Sequence, residues 1–306
     1  MKLNFLVCLL LLPFVTAAQQ TDRVLEEKIA RLVKGFKGDV GVYVYHLKQK
    51  KEATYNADTI FPTASVVKVP IMIAVFQKVK EGAFSLNDKL VYNSNRVYGG
   101  SGLMQYYKDS TVTDIRTLTS LMITVSDNVT SLWCQELVGG GAYINQLMAD
   151  LGLEHTRVNS RTEGREEIWK KYGWGQTTPR EMASLLIKLR ERKLVDEASS
   201  DEMYRLMCHT FYTDYSLSQI PPYVQTAAKQ GMVNRSRSEL VMVNAPHGDY
   251  VFYIATKNNK DESWKHDNEA WQLQRALSSL LWNYFEPKSG WKPAAGHKQL
   301  VKDTNY

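Results

Sequence analysis

The chain has 306 residues, which is enough for one large domain or two modest ones with a substantial buried core. Apolar residues make up 44% of it and charged residues 23%, as in ordinary soluble globular proteins. The net charge is only +6, from 38 basic and 32 acidic side chains, and no Lys/Arg block is dense enough to bind phosphates. We therefore exclude nucleic acid as a partner.

The N-terminus has the pattern of a secretory signal peptide at residues 1–18. Lys2 precedes an apolar stretch at 5–15, and small residues at 16–18 offer a cleavage site. The apolar stretch is short for a membrane span, so we favour cleavage over an anchor and expect a periplasmic or secreted monomer without a stable membrane span. For Cys134 and Cys208, which remain after cleavage, we expect two small buried side chains rather than a disulfide.

Strands and helices follow one another along the mature chain. Its first part predicts a helix at 23–37 and a hairpin of strands at 39–46 and around 53–55. Apolar periodicity then predicts helices at 65–80, 113–125, 129–138 and 142–151, the first of them distorted near Pro70.

A further helix is predicted to begin at Thr178 and Pro179, with Thr178 as its cap and Glu181 closing a capping box. Near residue 224 the pattern changes to strands at 226–229, 240–244 and 250–256, the last two forming a hairpin. A long helix at about 262–285 follows.

This order predicts an α/β (α+β) fold in which helices from both termini flank an antiparallel sheet and an all-helical domain is inserted. We assign residues 22–62 plus 209–286 to the discontinuous α/β domain and residues 63–208 to the inserted helical domain. Residues 287–306 are expected to form a loose C-terminal tail.

Three short motifs follow in order: Ser65-Val66-Val67-Lys68, Ser126-Asp127-Asn128 and Lys229-Gln230-Gly231. Each alone is weak, but together they resemble the signature of class A β-lactamases and penicillin-binding proteins. The resemblance covers about residues 24–285. It implies a β-lactamase/transpeptidase-like fold with the active site between the two domains. It also implies a small β-lactam or peptidoglycan-like substrate, and we expect neither a cofactor nor a metal.

Physical chemistry gives the motif residues distinct expected roles. A serine hydroxyl needs a base, and Lys68, three residues after Ser65, faces the same way on a helix. Burial and the second ammonium of Lys229 would lower the pKa of Lys68 so that it can act as that base. The backbone N–H groups of Ser65 and Met232 are expected to hold the developing oxyanion. Ser126 is expected to pass a proton to the leaving nitrogen.

The remaining expectations concern substrate binding. Asn128 is expected to hydrogen-bond Lys68 and the substrate amide, while Asp127 points inward and fixes the turn. Gly231 and Gln230 are placed at the substrate, with Gln230 offering a hydrogen bond to a substrate carboxylate. Arg237, or in another register Arg235, is the candidate for an extra contact to that carboxylate.

Two features depart from the family pattern. Gln230 replaces the usual threonine of the third motif. The family's Glu-x-x-Leu-Asn stretch, whose glutamate activates the deacylating water, is absent, because that glutamate falls on Thr162 and the Asn on Glu166. Glu163 is a candidate base after a one-residue shift, and without such a base the acyl-enzyme is expected to persist.

The sequence thus favours a serine β-lactamase-like hydrolase. The missing Glu-x-x-Leu-Asn stretch favours an alternative, a D,D-peptidase or esterase with slow deacylation. The altered third motif slightly favours a second alternative, a non-catalytic binding protein.

Overall fold

The computed structural model describes residues 20–293 of the chain. The predicted signal peptide at 1–18 and residues 294–306 of the predicted tail lie outside this range. Within it the strands are β1 (Gln20–Thr21), β2 (Asp39–His46), β3 (Lys51–Tyr55), β4 (Phe61–Pro62), β5 (Lys89–Val91), β6 (Val112–Asp114), β7 (Arg157–Val158), β8 (Gly175–Thr177), β9 (Thr226–Val233), β10 (Ser236–Val243) and β11 (Tyr250–Lys257).

The α-helices of the same range are α1 (Arg23–Val33), α2 (Lys68–Lys80), α3 (Ile115–Thr124), α4 (Asn128–Leu137), α5 (Gly140–Asp150), α6 (Glu166–Tyr172), α7 (Pro179–Arg190), α8 (Glu197–Met207) and α9 (Glu269–Phe285). A 3₁₀ turn at Ala64–Val67 leads directly into α2. Pro70 therefore falls in the first turn of α2, where its missing N–H leaves no helical hydrogen bond unmade.

The main sheet has six strands in the order β1-β3-β2-β11-β10-β9. Its neighbouring strands are antiparallel, except for the short β1, which pairs with β3 in parallel. The predicted α/β class with a largely antiparallel sheet, flanked by N- and C-terminal helices, is confirmed. Two short sheets, β4-β8-β7 and β5-β6, lie outside it.

Side chains alternate between two buried faces of the main sheet, because successive residues of a strand point to opposite sides. On β11, Phe252 and Ile254 belong to a core shared with α1 and α9. Val251 and Tyr253 belong to a larger core that includes α2, α3, α4 and α7. The sheet is therefore covered by the terminal helices on one side and by the helices of the middle of the chain on the other.

Several predicted boundaries need correction. The first helix ends at Val33 instead of 37, and the last begins at Glu269 instead of 262, because the Asn268 side chain caps the N–H groups of residues 270 and 271. The predicted strand 226–229 is the first half of the eight-residue strand β9, and the predicted strand 240–244 overlaps the second half of β10, which ends at Val243. The short helices α6 and α8 have no counterpart in the sequence-based expectations.

The capping box at the start of α7 is only half formed. The Thr178 hydroxyl accepts the Glu181 N–H at 3.2 Å, as predicted. The Glu181 carboxylate instead accepts hydrogen bonds from the backbone N–H groups of residues 154–156 at 2.7–3.1 Å. Glu181 therefore ties the loop after α5 to the start of α7 and does not close the box.

The two cysteines of the described range are free thiols, Cys134 buried and Cys208 half-buried. Burial raises the pKa of the Cys134 thiol to about 12. Cys134 therefore packs as a small apolar side chain. No helix within residues 20–293 is long and apolar enough to cross a membrane.

Candidate active site

Ser65 lies in the 3₁₀ turn that precedes α2, beside the edge strand β9. Ala64, just before it, has a left-handed backbone with φ of 43°. Such a conformation at a non-glycine residue costs about 1–3 kcal/mol and persists only where surrounding contacts impose it. The turn aims the Ser65 hydroxyl at Lys68, the first residue of α2, whose Nζ lies 3.1 Å from Ser65 Oγ.

Ser126 occupies the sharp turn between α3 and α4 and also has a left-handed backbone, with φ of 57°. Asp127 fixes this turn from inside, as predicted. One of its carboxylate oxygens caps α4 by accepting the Thr130 N–H at 2.9 Å. The other accepts the N–H groups of Leu103 and Met104 at 2.6 and 2.7 Å, which holds the neighbouring loop against the turn.

The Lys68 amine is fully buried among uncharged oxygens. Besides Ser65 Oγ, its partners are the Ser126 carbonyl at 2.6 Å, Ser126 Oγ at 3.1 Å and Asn128 Oδ1 at 2.9 Å. No carboxylate of the described residues forms an ion pair with it. Burial, and then the charge of Lys229, lower the pKa of Lys68 well below its ordinary value. Lys68 is therefore suited to accept a proton.

Lys229 on β9 completes the cluster from the sheet side. Its buried Nζ lies 3.0 Å from Ser126 Oγ and 3.0 Å from the carbonyl oxygen of Gln230. Burial lowers the pKa of Lys229 to about 7. The Ser126 hydroxyl thus lies between two amines, each within hydrogen-bond distance, and a proton can pass between them through it.

Gly231 allows β9 to approach the Ser65 turn. A Cβ placed on Gly231 would lie only 2.2 Å from the Thr63 carbonyl oxygen and 3.1 Å from the Ser65 backbone nitrogen. No other residue fits this space, so the glycine fixes the distance between the strand and the turn. Met232 follows on the same edge strand, half-buried, with its sulfur 3.8 Å from the Tyr215 hydroxyl.

The structure qualifies two of the expected substrate contacts. The Asn128 amide reaches Lys68 as expected, but its Nδ2 donates to the Gly99 carbonyl at 3.0 Å. The Gln230 side chain is buried and bonded elsewhere: its Nε2 donates to the Tyr212 carbonyl at 2.7 Å, and its Oε1 accepts from the Thr210 hydroxyl at 3.2 Å. Each amide nitrogen therefore already donates one of its two N–H groups to a backbone carbonyl.

The expectation that Arg237 contacts a substrate is wrong. Arg237 pairs with Met232 across β9 and β10, and its guanidinium is fully buried against the indole rings of Trp264 and Trp271, at 4.6 and 4.9 Å from their centroids. It donates to backbone carbonyls of residues 236 and 263. Arg235, the alternative, lies in the exposed turn, 3.6 Å from Glu262.

The position of the missing deacylating glutamate is occupied by a small polar side chain. Thr162 is buried, its hydroxyl donates to the Ser160 carbonyl at 3.0 Å, and it packs directly against Gly141. Glu163, the candidate base, is exposed on the wall of a cavity of about 470 Å³, which Tyr98 and Trp174 also line. No hydrogen bond or ion pair within residues 20–293 joins Glu163 to Ser65 or Lys68.

Sequence reasoning missed two residues that shape the cleft. The Tyr212 hydroxyl lies 2.7 Å from Ser101 Oγ and donates to the Val125 carbonyl at 3.3 Å, so the loop before β9 is joined to the loops on the other side of Ser126. The Trp174 ring centroid lies 5.7 Å from the Lys68 amine. Nothing in the local sequence around Tyr212 or Trp174 indicates these contacts, which depend on the fold.

The described residues contain no cluster of three or more His, Cys, Asp or Glu side chains placed to hold a metal ion. The arrangement instead offers a serine hydroxyl, a buried lysine amine beside it and a second hydroxyl held between two amines. These are the groups that covalent catalysis through a serine requires.

Comparison with known proteins places these features in context. The sequence model of the Beta-lactamase enzyme family matches residues 23–285. The β-lactamase VEB-1 of Pseudomonas aeruginosa is 23% identical over 280 residues, which cover 87% of this chain and 91% of that protein.

Among solved structures, that of PBP-A superposes with a TM-score of 0.78 at 25% identity and covers 88% of this chain and 98% of PBP-A. A PBP-A variant described as an acyl-enzyme complex with penicillin G gives the same TM-score at 26% identity and the same coverage. The structure of the TLA-1 extended-spectrum β-lactamase, 19% identical with a TM-score of 0.77 over 86% of this chain and 98% of that one, shares the fold.

Proposed function

Because the chain belongs to the β-lactamase enzyme family, we propose that it is a serine β-lactamase-like hydrolase that is acylated by β-lactams at Ser65. The observation that carries this proposal is the position of the Lys68 amine, 3.1 Å from both Ser65 Oγ and Ser126 Oγ. One amine can thus take the proton of the nucleophile and return a proton toward the leaving group.

In the acylation step, neutral Lys68 removes the Ser65 proton as Ser65 Oγ attacks the lactam carbonyl carbon. The N–H groups of Ser65 and Met232 hold the oxyanion, and loss of one such donor typically slows acyl transfer about 10²–10³-fold. As the C–N bond breaks, Ser126 donates its proton to the leaving nitrogen and is reprotonated from the neighbouring lysines.

Deacylation is the slower half of the reaction. Thr162 cannot act as a base for water, and Glu163 is exposed and outside the cluster. Lys68 has no ion pair with a described carboxylate, so after acylation its amine is the nearest group able to accept a proton from water. We propose a long-lived acyl-enzyme that hydrolyses slowly through Lys68.

The proposal also covers the location, substrate and oligomeric state of the enzyme. The N-terminal pattern at residues 1–18 supports export to the periplasm or beyond by a cleaved signal peptide. A small β-lactam is the proposed substrate, and the protein is proposed to act as a monomer without a cofactor.

A chromogenic cephalosporin tests the function directly. Purified protein is mixed with the compound, and colour release and intact mass are followed together. We expect a rapid burst of about one equivalent, a covalent adduct, and then slow turnover, all absent in Ser65→Ala. Wild-type protein that forms neither colour nor adduct would refute the proposal, provided that circular dichroism shows it to be folded.

A further inference from the structure

The end of the cleft beyond Ser126 contains a buried carboxyl group that the proposed mechanism does not use. Glu239 pairs with Gln230 across β9 and β10, so the two side chains lie on the same face of the sheet. Glu239 is fully buried; one oxygen accepts the Ser216 N–H at 3.0 Å, and the other, Oε1, has no hydrogen-bond partner among residues 20–293. No cation of that range forms an ion pair with it.

The groups that would bind a substrate carboxylate here are engaged elsewhere. The Gln230 amide is bonded to the loop of Thr210 and Tyr212. The Arg237 guanidinium is buried against the indole rings of Trp264 and Trp271. Arg275 of α9 is half-buried and donates to the carbonyl oxygens of residues 214 and 266. Among the described residues at this end of the cleft, Lys229 is therefore the cation that remains, and the Glu239 carboxyl group lies beside its neighbour Gln230.

We propose that Glu239, placed behind Gln230 and Lys229, makes this end of the cleft a subsite for uncharged groups. The preferred acyl donors would then be those in which the group next to the scissile amide is neutral, such as an ester or an amide, and not a free carboxylate. This inference rests on the proposed acylation of Ser65 and specifies its substrate class.

The protonation states of Glu239 and Lys229 also disfavour a substrate carboxylate at this end of the cleft. Burial raises the pKa of Glu239 to about 7, and the Ser216 hydrogen bond, the Gln230 side chain and the charge of Arg275 oppose this rise. Burial lowers the pKa of Lys229 to about 7, with Glu239 opposing it. As the pH rises through this range, Glu239 gains negative charge and Lys229 loses positive charge. A substrate carboxylate is therefore bound less favourably above about pH 7 than below it.

The other charged groups near Glu239 do not reverse this direction. Asp214, in the loop before Ser216, adds negative charge, and Tyr215 stays neutral because burial raises its pKa well above the ordinary value. Arg275 adds positive charge at every pH in the physiological range, so it does not contribute to the change.

The test compares a chromogenic cephalosporin as its free acid and as its methyl ester. The second-order constant for acylation of Ser65 is measured for each compound at about pH 5.5 and about pH 8, and its adduct is checked by intact mass. For the wild type at about pH 8 we expect the ester to react at least as fast as the acid, because the charge of Glu239 offsets that of a weakly protonated Lys229. A preference for the acid of about tenfold or more would overturn the inference.

Glu239→Gln removes the charge and keeps the shape. We expect it to raise the acid-to-ester ratio about fivefold or more at about pH 8 and to leave it nearly unchanged at about pH 5.5. The variant also lowers the pKa of Lys229, because Glu239 is the group that raises it, and this change alone would lower the ratio. A higher ratio therefore reports the lost carboxylate, and an unchanged ratio at about pH 8 would overturn the inference.

Glu286→Gln is the matched control. Glu286 is a buried carboxyl group at the far end of α9, bonded to His247, and we expect its variant to keep the wild-type ratio at both pH values. A general packing defect would slow acid and ester alike without changing their ratio. Failure of both compounds to form an adduct with the wild type would overturn the proposed function, and this inference with it.

Discussion

Gly231→Ala tests the close contact between β9 and the nucleophile turn. The added Cβ would lie 2.2 Å from the Thr63 carbonyl oxygen, 2.8 Å from Ser238 Oγ and 3.1 Å from the Ser65 nitrogen, whereas ordinary contacts begin at 3.4 Å. The Thr63 carbonyl is backbone and cannot swing away, so the strand and the turn must separate by about 1 Å. Overpacking of this kind costs about 1–3 kcal/mol of unfolding free energy.

Catalysis is expected to suffer as well as stability. The oxyanion donors lie on both sides of the contact, at Ser65 and Met232, and displacement of catalytic groups by about 1 Å lowers rates about 10²-fold. We therefore expect Gly231→Ala to remain folded, with its urea midpoint reduced, and to acylate with a chromogenic cephalosporin about 10²-fold more slowly than the wild type.

Gly82→Ala separates the two effects. Gly82 follows the end of α2, has φ of +73° and has open space around its Cβ position. The substitution strains the backbone by about 1–2 kcal/mol without touching the site, so stability should fall while acylation stays unchanged. If Gly231→Ala acylated within threefold of the wild type, β9 would not set the geometry around Ser65, and our reasoning about the oxyanion donors would be refuted.

Three further predictions follow from the site. Acylation should fall as the pH drops through the lowered pKa of Lys68, because protonation removes the base. Lys68→Met should abolish both acylation and this pH dependence in stopped-flow measurements, and a remaining rate that still falls with decreasing pH would contradict the assignment. Thr162→Glu should shorten the life of the acyl-enzyme about tenfold or more, as followed by intact mass, because it restores a carboxylate at the position aligned with the family's general base; an unchanged lifetime would argue against that alignment. Asp127→Ala should lower the unfolding free energy by about 3 kcal/mol or more in urea titrations, because it leaves the N–H groups of Leu103, Met104 and Thr130 unpaired; a loss under about 1 kcal/mol would contradict this account of the turn.

Local signals in the sequence predicted much of this molecule. The three motifs indicated the family and the fold, and Thr178 with Pro179 predicted the first residue of α7 correctly. The helix α8 could also have been found, because Asp196 caps it and Met203, Leu206 and Met207 form its buried face. The division into residues 22–62 plus 209–286 and residues 63–208 stays a prediction.

The errors concern features that depend on register and long-range contacts. Arg237 was expected at the substrate, but its pairing with Met232 places it two residues away from Glu239 along β10, with its guanidinium against Trp264 and Trp271. A shift of one residue exchanges the two faces, and motif spacing cannot fix it. The left-handed backbone of Ala64 and Ser126 has no sequence signal either, because neither is a glycine and tertiary contacts impose it.

The loop that carries Tyr212 shows the same limit. Its contact with Ser101 joins segments 111 residues apart, and its contact with Gln230 joins segments 18 residues apart. Once these contacts are known, the glutamine of the third motif has a structural reason: its long amide side chain reaches the Tyr212 carbonyl instead of a substrate.

The central claim, that Ser65 is the nucleophile of the lysine-flanked cluster, is tested most directly by locating the adduct. Wild-type protein is acylated with a penicillin, digested, and its peptides are sequenced by mass spectrometry. We predict that the penicilloyl mass lies on Ser65 and that Lys68→Met carries no adduct while remaining folded. An adduct on any other residue, or full labelling of Lys68→Met at the wild-type rate, would contradict the account.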